Sequence, residues 1–534
     1  MYIMYRKKNP EMNTVKKLLT LLLLAALCCA ALPARAERKE RVSGAFVYVL
    51  LEDGTAEITL YGGEKNENLV LPDELGGRPV TSVAPGIFRP DGKSKDFRVR
   101  SLQLPGTLIR IRSGAFAGLR IADGCLTVPE GVETLEEDAL RDISGLKKVV
   151  LPGTLKTVGA GVFGGDRDLK EISFSSACPD FEVAGGALLG KADHRLICYP
   201  AKLPWKRYEI PEGTRLIDRE AVSCCALLQE LVIPEGAELA YHSVSDNSKL
   251  RLLSLPRTCA VWDPDAVCGC PALREIVIPE DHPAMTLLNG MLVERETMKL
   301  LRYPPAKKER EAVLPEGITE IGAGAFEDAM IESVLIPATV TRIGERAFSG
   351  ARLRRITVPE GVTELGPGAL SDCGQLTKAA LPRSLVSLES PFAGSGKLRE
   401  VVVPADHAHL KYIGDLLVQT DDMRTVWYPP KLRKECCTVP DGIRAIGDGT
   451  FRFGKGERQY LTRIVVPEGV TEIGDLWVAN NKVDLTVELP ASLEEIGDHA
   501  FDACGELRSL FLSVPAGSYA EQYCRSHSLR YTPR

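Results

Sequence analysis

Hydrophobic positions recur along this chain in short bursts separated by turn residues. The unit is plain in TVPEGVETLEEDAL (127–140), VLPEGITEIGAGAF (313–326), LIPATVTRIGERAF (335–348), TVPEGVTELGPGAL (357–370), VVPEGVTEIGDLWV (465–478) and ELPASLEEIGDHAF (488–501). Its pattern is apolar-Pro-x-x-apolar-x-x-[Ile/Leu/Val]-Gly-x-x-Ala-[Phe/Leu], usually preceded by Leu-x-x-[Ile/Val]. Alternation in Leu-x-x-Ile-x-[Ile/Val] predicts a short strand. The proline ends it, having no N–H for a ladder. Val-Thr-x-Ile predicts a second strand-like segment, and the Gly after the Ile is expected at a sharp turn or a positive φ. Ala-Phe is expected to pack inward.

Counted from Pro72 to Pro515, with Ser175 in place of one proline, there are 18 units, mostly 22 to 24 residues apart. Three are 36 residues long: Ser175 to Pro211, Pro279 to Pro315 and Pro404 to Pro440. Their extra residues match one another: GALLGKADHRLICYP (186–200), GMLVERETMKLLRYP (290–304) and DLLVQTDDMRTVWYP (415–429). Each predicts a β-hairpin ending in Tyr-Pro.

One such unit is too short to bury its own apolar side, whereas stacked units bury theirs jointly. The expected fold class is therefore a β-rich repeat solenoid of about 18 coils, roughly 90 Å long at ~4.8 Å per coil. Three β-hairpins are inserted near 183–204, 287–308 and 412–433. The solenoid runs over 72–512. An N-terminal β-hairpin cap over 37–71 turns at Asp53-Gly54. A C-terminal cap over 513–534 carries a short helix over 518–526, then a short strand.

Residues 1–36 read as a secretory signal peptide: Lys16 and Lys17, an apolar run from Leu18 to Leu32, and an Ala34-Arg35-Ala36 cleavage site. Removing them leaves 60 basic and 71 acidic residues, a net charge of −11. That balance argues against a nucleic-acid partner, which calls for a basic surface. No later apolar run reaches the ~18 residues of a membrane span, so the mature chain is expected to have no transmembrane segment.

The unit resembles the BspA-like (Treponema-type) leucine-rich repeat, on stretches such as Ile336-Pro337…Ile343-Gly344…Ala347-Phe348 and Leu489-Pro490…Ile496-Gly497…Ala500-Phe501…Cys504. The resemblance covers about residues 44–530. Unit 235–256, an irregular insert in 85–100, and Leu140, Val222 and Leu370 in place of Phe depart from the pattern. It implies a bacterial protein that is secreted or held on the cell surface. It also implies binding or adhesion to proteins or glycans of host matrix or neighbouring cells, with no catalytic site in the repeat. A structural envelope component and a glycan-active β-solenoid enzyme are the alternatives.

Candidate chemistry is sparse. Cys225, Cys270, Cys373 and Cys504 fall just after the Ala-Phe position and read as buried, stacked thiols. One or two disulfides are compatible with export. No zinc spacing accompanies the cysteines. Asp406-His407-Ala408-His409 and Asp281-His282 read as solvated turns. An acid follows the proline in Glu130, Glu212, Glu235, Glu280, Glu316, Glu360, Asp441 and Glu468, which predicts an acidic row along one edge. There is no phosphate loop, Gly-x-Ser-x-Gly or paired-acid cluster, so no cofactor, metal or catalysis is expected. The candidate binding residues are the aromatics in or beside the hairpins: Tyr199, Tyr303, Tyr428, Trp205 and Trp427. The tyrosines recur at a fixed offset, which favours hairpin docking as their role. The two tryptophans do not recur in all three insertions.

Overall fold

Each repeat folds into one coil with two short strands, and successive coils stack their strands in parallel. The computed structural model describes residues 39–534 except 66, 89–96, 431, 433, 453–459, 476–477, 480–483 and 502–509. The expected signal peptide, Cys504 and part of the irregular insert lie outside the described residues. The chain forms two compact units, one ending at Leu250 and taking in Asp265–Cys270, the other made of Arg251–Pro264 and Pro271–Arg534. Together they hold about 19 solenoid turns.

In the first unit the Leu-x-x-Ile strands Cys125–Thr127, Lys148–Leu151 and Glu171–Phe174 pair in parallel, with Leu126, Val149 and Ile172 in register. In the second unit Arg355–Thr357, Lys378–Ala380 and Glu400–Val402 do the same around Ile356, Ala379 and Val401. These in-register residues are buried, so each core is a set of aliphatic columns. The Val-Thr-x-Ile segments form a second ladder, in which Ile321, Ile343, Leu365 and Leu388 stack inward. Their outward neighbours alternate in charge, Arg342 sitting 3.5 Å from Glu320 and 2.9 Å from Glu364.

The Gly after the Ile has a different role from the one its position suggests. No positive φ occurs at Gly344 or Gly366. Instead, a Cβ at Gly366 would lie 2.6 Å from the Glu345 nitrogen, and one at Gly344 would lie 2.8 Å from the Ala323 nitrogen. Close approach of neighbouring coils demands the glycine. The left-handed residue comes two positions later, as Gly368 (φ 61°) or Arg346 (φ 50°).

The Phe side chains stack as expected. Phe326 and Phe348 lie 4.8 Å apart at 11°, and Tyr303 continues the stack 4.9 Å from Phe326. Each Phe amide donates to the Ala carbonyl of the next coil, as in Phe326 N to Ala347 O at 2.7 Å.

The insertions are larger than hairpins. Each is a three-stranded antiparallel meander: Phe181–Ala184, Ala187–Gly190 and Arg195–Cys198; Met285–Leu288, Met291–Glu294 and Lys299–Arg302; Leu410–Ile413, Leu416–Gln419 and Arg424–Trp427. The two-residue turns Gly185-Gly186 and Asn289-Gly290 take positive φ at both positions and join the first two strands. The third strand of each meander joins the parallel ladder, pairing with Leu216–Ile217, Glu320–Ile321 and Ala445–Ile446 respectively.

At the N-terminal end Phe46–Leu50 and Ala56–Tyr61 form the hairpin that turns at Gly54, and Ala56–Tyr61 then pairs in parallel with Arg78–Val83. At the other end, helix Tyr519–Ser526 is N-capped by Ser518. Ser518 Oγ accepts from Glu521 N at 3.2 Å, and the Glu521 carboxylate accepts from Gly517 N at 2.7 Å. Strand Tyr531–Pro533 then closes the last sheet against Leu510–Val514. Among the described residues, no helix is long and apolar enough to cross a membrane.

Candidate functional site

The hairpin aromatics divide sharply. Tyr199, Tyr303 and Tyr428 are buried, and each occupies the Phe position of its own coil. Their amides make the same bond as the framework Phe: Tyr199 to Ala221 O and Tyr303 to Ala325 O, both at 2.7 Å, and Tyr428 to Thr450 O at 3.1 Å. That explains their fixed offset: they anchor the meanders in the core and present no ring to a ligand. Burial also pushes the Tyr303 phenol up to about 12. Trp427, the residue before Tyr428, is buried edge-on against Phe392 at 5.9 Å. Trp205 differs. It stands where other coils place the buried Leu, yet it is 54% exposed. It is the one member of the set with a free ring.

The acidic row is occupied locally. Glu130 accepts from Ser175 Oγ at 2.7 Å and Ser176 Oγ at 2.8 Å, which together with the Gly153 amide lower its pKa. Glu468 accepts from Ala491 N at 2.9 Å and Ser492 N at 3.1 Å, and is lowered chiefly by the first of these. Glu360 reaches the amides of Arg383 and Ser384. These carboxylates tie a turn to the turn of the following coil. No group of three or more potential metal ligands occurs among the described residues.

The thiols and imidazoles are also structural. Cys225, Cys270 and Cys373 are buried, and none of the twelve described cysteines is in a disulfide. Burial drives Cys373 up to about 12. The expected solvated turns at His282 and His407 are instead side-chain caps. His282 is buried, its Nδ1 accepting from Met285 N at 3.0 Å, and His407 Nδ1 accepts from Leu410 N at 3.1 Å. Each cap orders the chain where a meander begins.

A basic column is the feature that reading the sequence missed. The residue one past the Leu position is repeatedly cationic and exposed: Lys147, Lys170 and Lys206 in the first unit, and Arg251, Arg274, Arg310, Arg354 and Arg399 in the second. Backbone bonds set the stacking, from Glu332 N to Arg310 O, Arg354 N to Glu332 O, Thr377 N to Arg354 O and Arg399 N to Thr377 O. The signal is legible as the recurrent Leu-Lys or Leu-Arg pair, as in Leu146-Lys147 and Leu353-Arg354, but the hydrophobic pattern that defines the unit does not mark it.

In the second unit this column borders a cleft of ≈ 730 Å³. Lys307, Lys308, Arg310, Arg352 and Arg354 line it, opposed by only Glu309 and Glu332. Glu332 bonds Arg310 at 2.9 Å and Arg354 at 3.2 Å. A second groove of ≈ 560 Å³ shares Glu332 and Arg354 and adds Leu335, Ile336, Thr357 and Pro359. Leu335 is 56% exposed. A cationic strip therefore runs beside an aliphatic shelf.

Comparison with known proteins bears on the repeat. The pattern of the family described as the BspA type Leucine rich repeat region matches in 6 copies, over 94–183, 201–286, 308–417 and 431–531. No curated protein matches the chain. Among solved structures, a leucine rich cell surface protein from Faecalibacterium prausnitzii is similar at 19% identity, covering 92% of this chain and 98% of its own, with a TM-score of 0.37. A leucine-rich repeat protein from Eubacterium ventriosum is 15% identical over 87% of this chain and 94% of its own, with a TM-score of 0.34. The pneumococcal vaccine antigen PcpA is 15% identical over 93% and 98%, with a TM-score of 0.29.

Proposed function

This chain belongs to the BspA-type leucine-rich repeat family, and on that premise we propose that it is an exported, cell-surface or secreted protein that binds other proteins and performs no catalysis. The observation that carries the reading is the set of exposed side chains on an otherwise repetitive frame. The aliphatic and Phe columns, the Gly contacts and the turn carboxylates Glu130, Glu360 and Glu468 are used to stack coils. Trp205, the aliphatic shelf and most cationic side chains of the basic column project from that frame and differ from coil to coil, although Glu332 ties Arg310 to Arg354. Solenoids bind through such extended faces. Adhesion to host matrix or neighbouring cells is the biological form that export would give this binding.

The test is a screen of purified residues 37–534 against arrayed matrix proteins and glycans, with reducing-end assays on any glycan bound. The expected result is saturable binding to a protein without turnover. Glycan cleavage, or self-assembly with no protein ligand, would overturn it.

A further inference from the structure

We infer that the cleft beside the basic column of the second unit is a docking groove for an extended acidic polypeptide segment carrying aliphatic side chains. The inference rests on the protein-binding reading and names the chemistry of the partner. Charge complementarity is the first argument. Five cations and two acids line the cleft, a local excess of +3 on a chain whose formal net charge is −6. Arg310 and Arg354 share Glu332. Lys307 pairs with Glu309 at 3.2 Å, and the Lys308 charge acts on the same carboxylate, while Lys308 and Arg352 are both exposed. Guanidinium groups present planar forks that match carboxylates two bonds at a time.

Geometry is the second argument. From Arg310 to Arg399 the column climbs through five coils, four steps of ~4.8 Å, or about 19 Å. That is the reach of about six extended residues. Alternate side chains of an extended segment face opposite ways. Acids on one side would meet the column, while aliphatic residues on the other would cover Leu335, Ile336 and the stem of Met330.

The lining composition selects a peptide over a sugar. No aromatic residue lines either groove, so no ring platform exists for a sugar face. The apolar surface is aliphatic and contiguous with the cations, matching the apolar centre and polar rim of a protein interface.

The experiment measures fluorescence anisotropy of labelled peptides of about ten residues with residues 37–534. One peptide alternates Glu with Leu and Val, a second replaces Glu by Lys, and a third replaces the aliphatics by Ser. A labelled heparin oligosaccharide is the comparison probe. The Glu peptide is expected to bind, more weakly as salt rises, and the Lys peptide is expected not to bind. Arg352→Glu with Arg354→Glu is expected to weaken binding by more than about tenfold. Leu335→Ser and the Ser peptide should each weaken it several-fold. Lys65→Glu, an exposed charge elsewhere, should leave it unchanged. Equal binding by the double variant, no peptide binding, or heparin binding alone would each overturn the inference. If a protein from the array binds wild type and the double variant equally, the inference fails while the protein-binding reading stands. If no protein binds at all, that reading fails as well.

Discussion

Asp166 should be a buried carboxylic acid that holds its proton, and replacing it with Asn should stabilise the first unit at neutral pH. Its carboxyl is 3% exposed. Oδ1 accepts from Ile143 N at 2.6 Å, whereas Oδ2 has no hydrogen-bond partner. The same position in other coils shows what is missing. Asn247 accepts from Cys225 N at 2.8 Å and donates Nδ2 to Val222 O at 2.8 Å. Ser395 likewise accepts from Cys373 N and donates to Leu370 O. A carboxylate accepts but cannot donate, so only the protonated form can imitate these residues. Burial raises the Asp166 pKa well above 3.8, the Asp142 and Asp168 charges add to the rise, and the Ile143 amide and Arg141 oppose it.

The sign follows from proton counting. Below the unfolded value of about 3.9 the carboxyl is neutral in both states and costs nothing. As pH rises the unfolded chain loses its proton while the fold keeps it, so the wild type loses up to ~1.4 kcal/mol per pH unit until the folded group ionises. Asn supplies donor and acceptor at every pH. Asp166→Asn is therefore expected to gain up to about 4 kcal/mol at pH 7, about 1.4 kcal/mol for each of the roughly three pH units above the unfolded value. Near pH 3 the gain should be close to zero. Urea unfolding of both proteins at the two pH values, followed by circular dichroism, reads the difference while other titrating groups cancel. An equal difference at both pH values, or a destabilised Asn variant at pH 7, would refute the reasoning.

Gly366→Ala should destabilise the second unit by about 1–3 kcal/mol, since its Cβ would sit 2.6 Å from the Glu345 nitrogen. Asp328→Gly should stabilise that unit by about 1 kcal/mol in the same urea assay, because Asp328 holds φ 58° where Gly350 and Gly394 serve in neighbouring coils. In the native protein at pH 8, iodoacetamide should label exposed Cys125 and Cys436 first and leave buried Cys373 untouched until denaturant is added, as read by peptide mass spectrometry.

The coil was legible because its signals reinforce one another. Alternation, a proline stop and an Ala-Phe pair recur together, so Ile343, Pro337 and Phe348 identify one coil and predict the next. The capped helix at Ser518 was legible for the same reason. What escaped depended on contacts between coils. The glycine of Ile-Gly answers to the backbone of its neighbour, which no single repeat displays. The first strand of each meander hid behind a two-residue turn, as at Asn289-Gly290, and sat beside an anchor position already assigned to the coil. Trp205 and Trp427 look alike as residues near an insertion. Only the ladder separates them, by placing Trp427 next to the framework tyrosine and Trp205 after the chain has left the core. The basic column escaped because its members share charge rather than hydrophobicity.

The most direct test of the central claim, that exposed columns and not the anchored aromatics carry binding, is one affinity measurement. Wild type, Arg352→Glu with Arg354→Glu, and Trp205→Ala, each as residues 37–534, would be titrated against the tightest protein ligand from the array. Loss of more than about tenfold in either variant, with circular dichroism unchanged, is the predicted result. Full affinity in both variants would contradict the account.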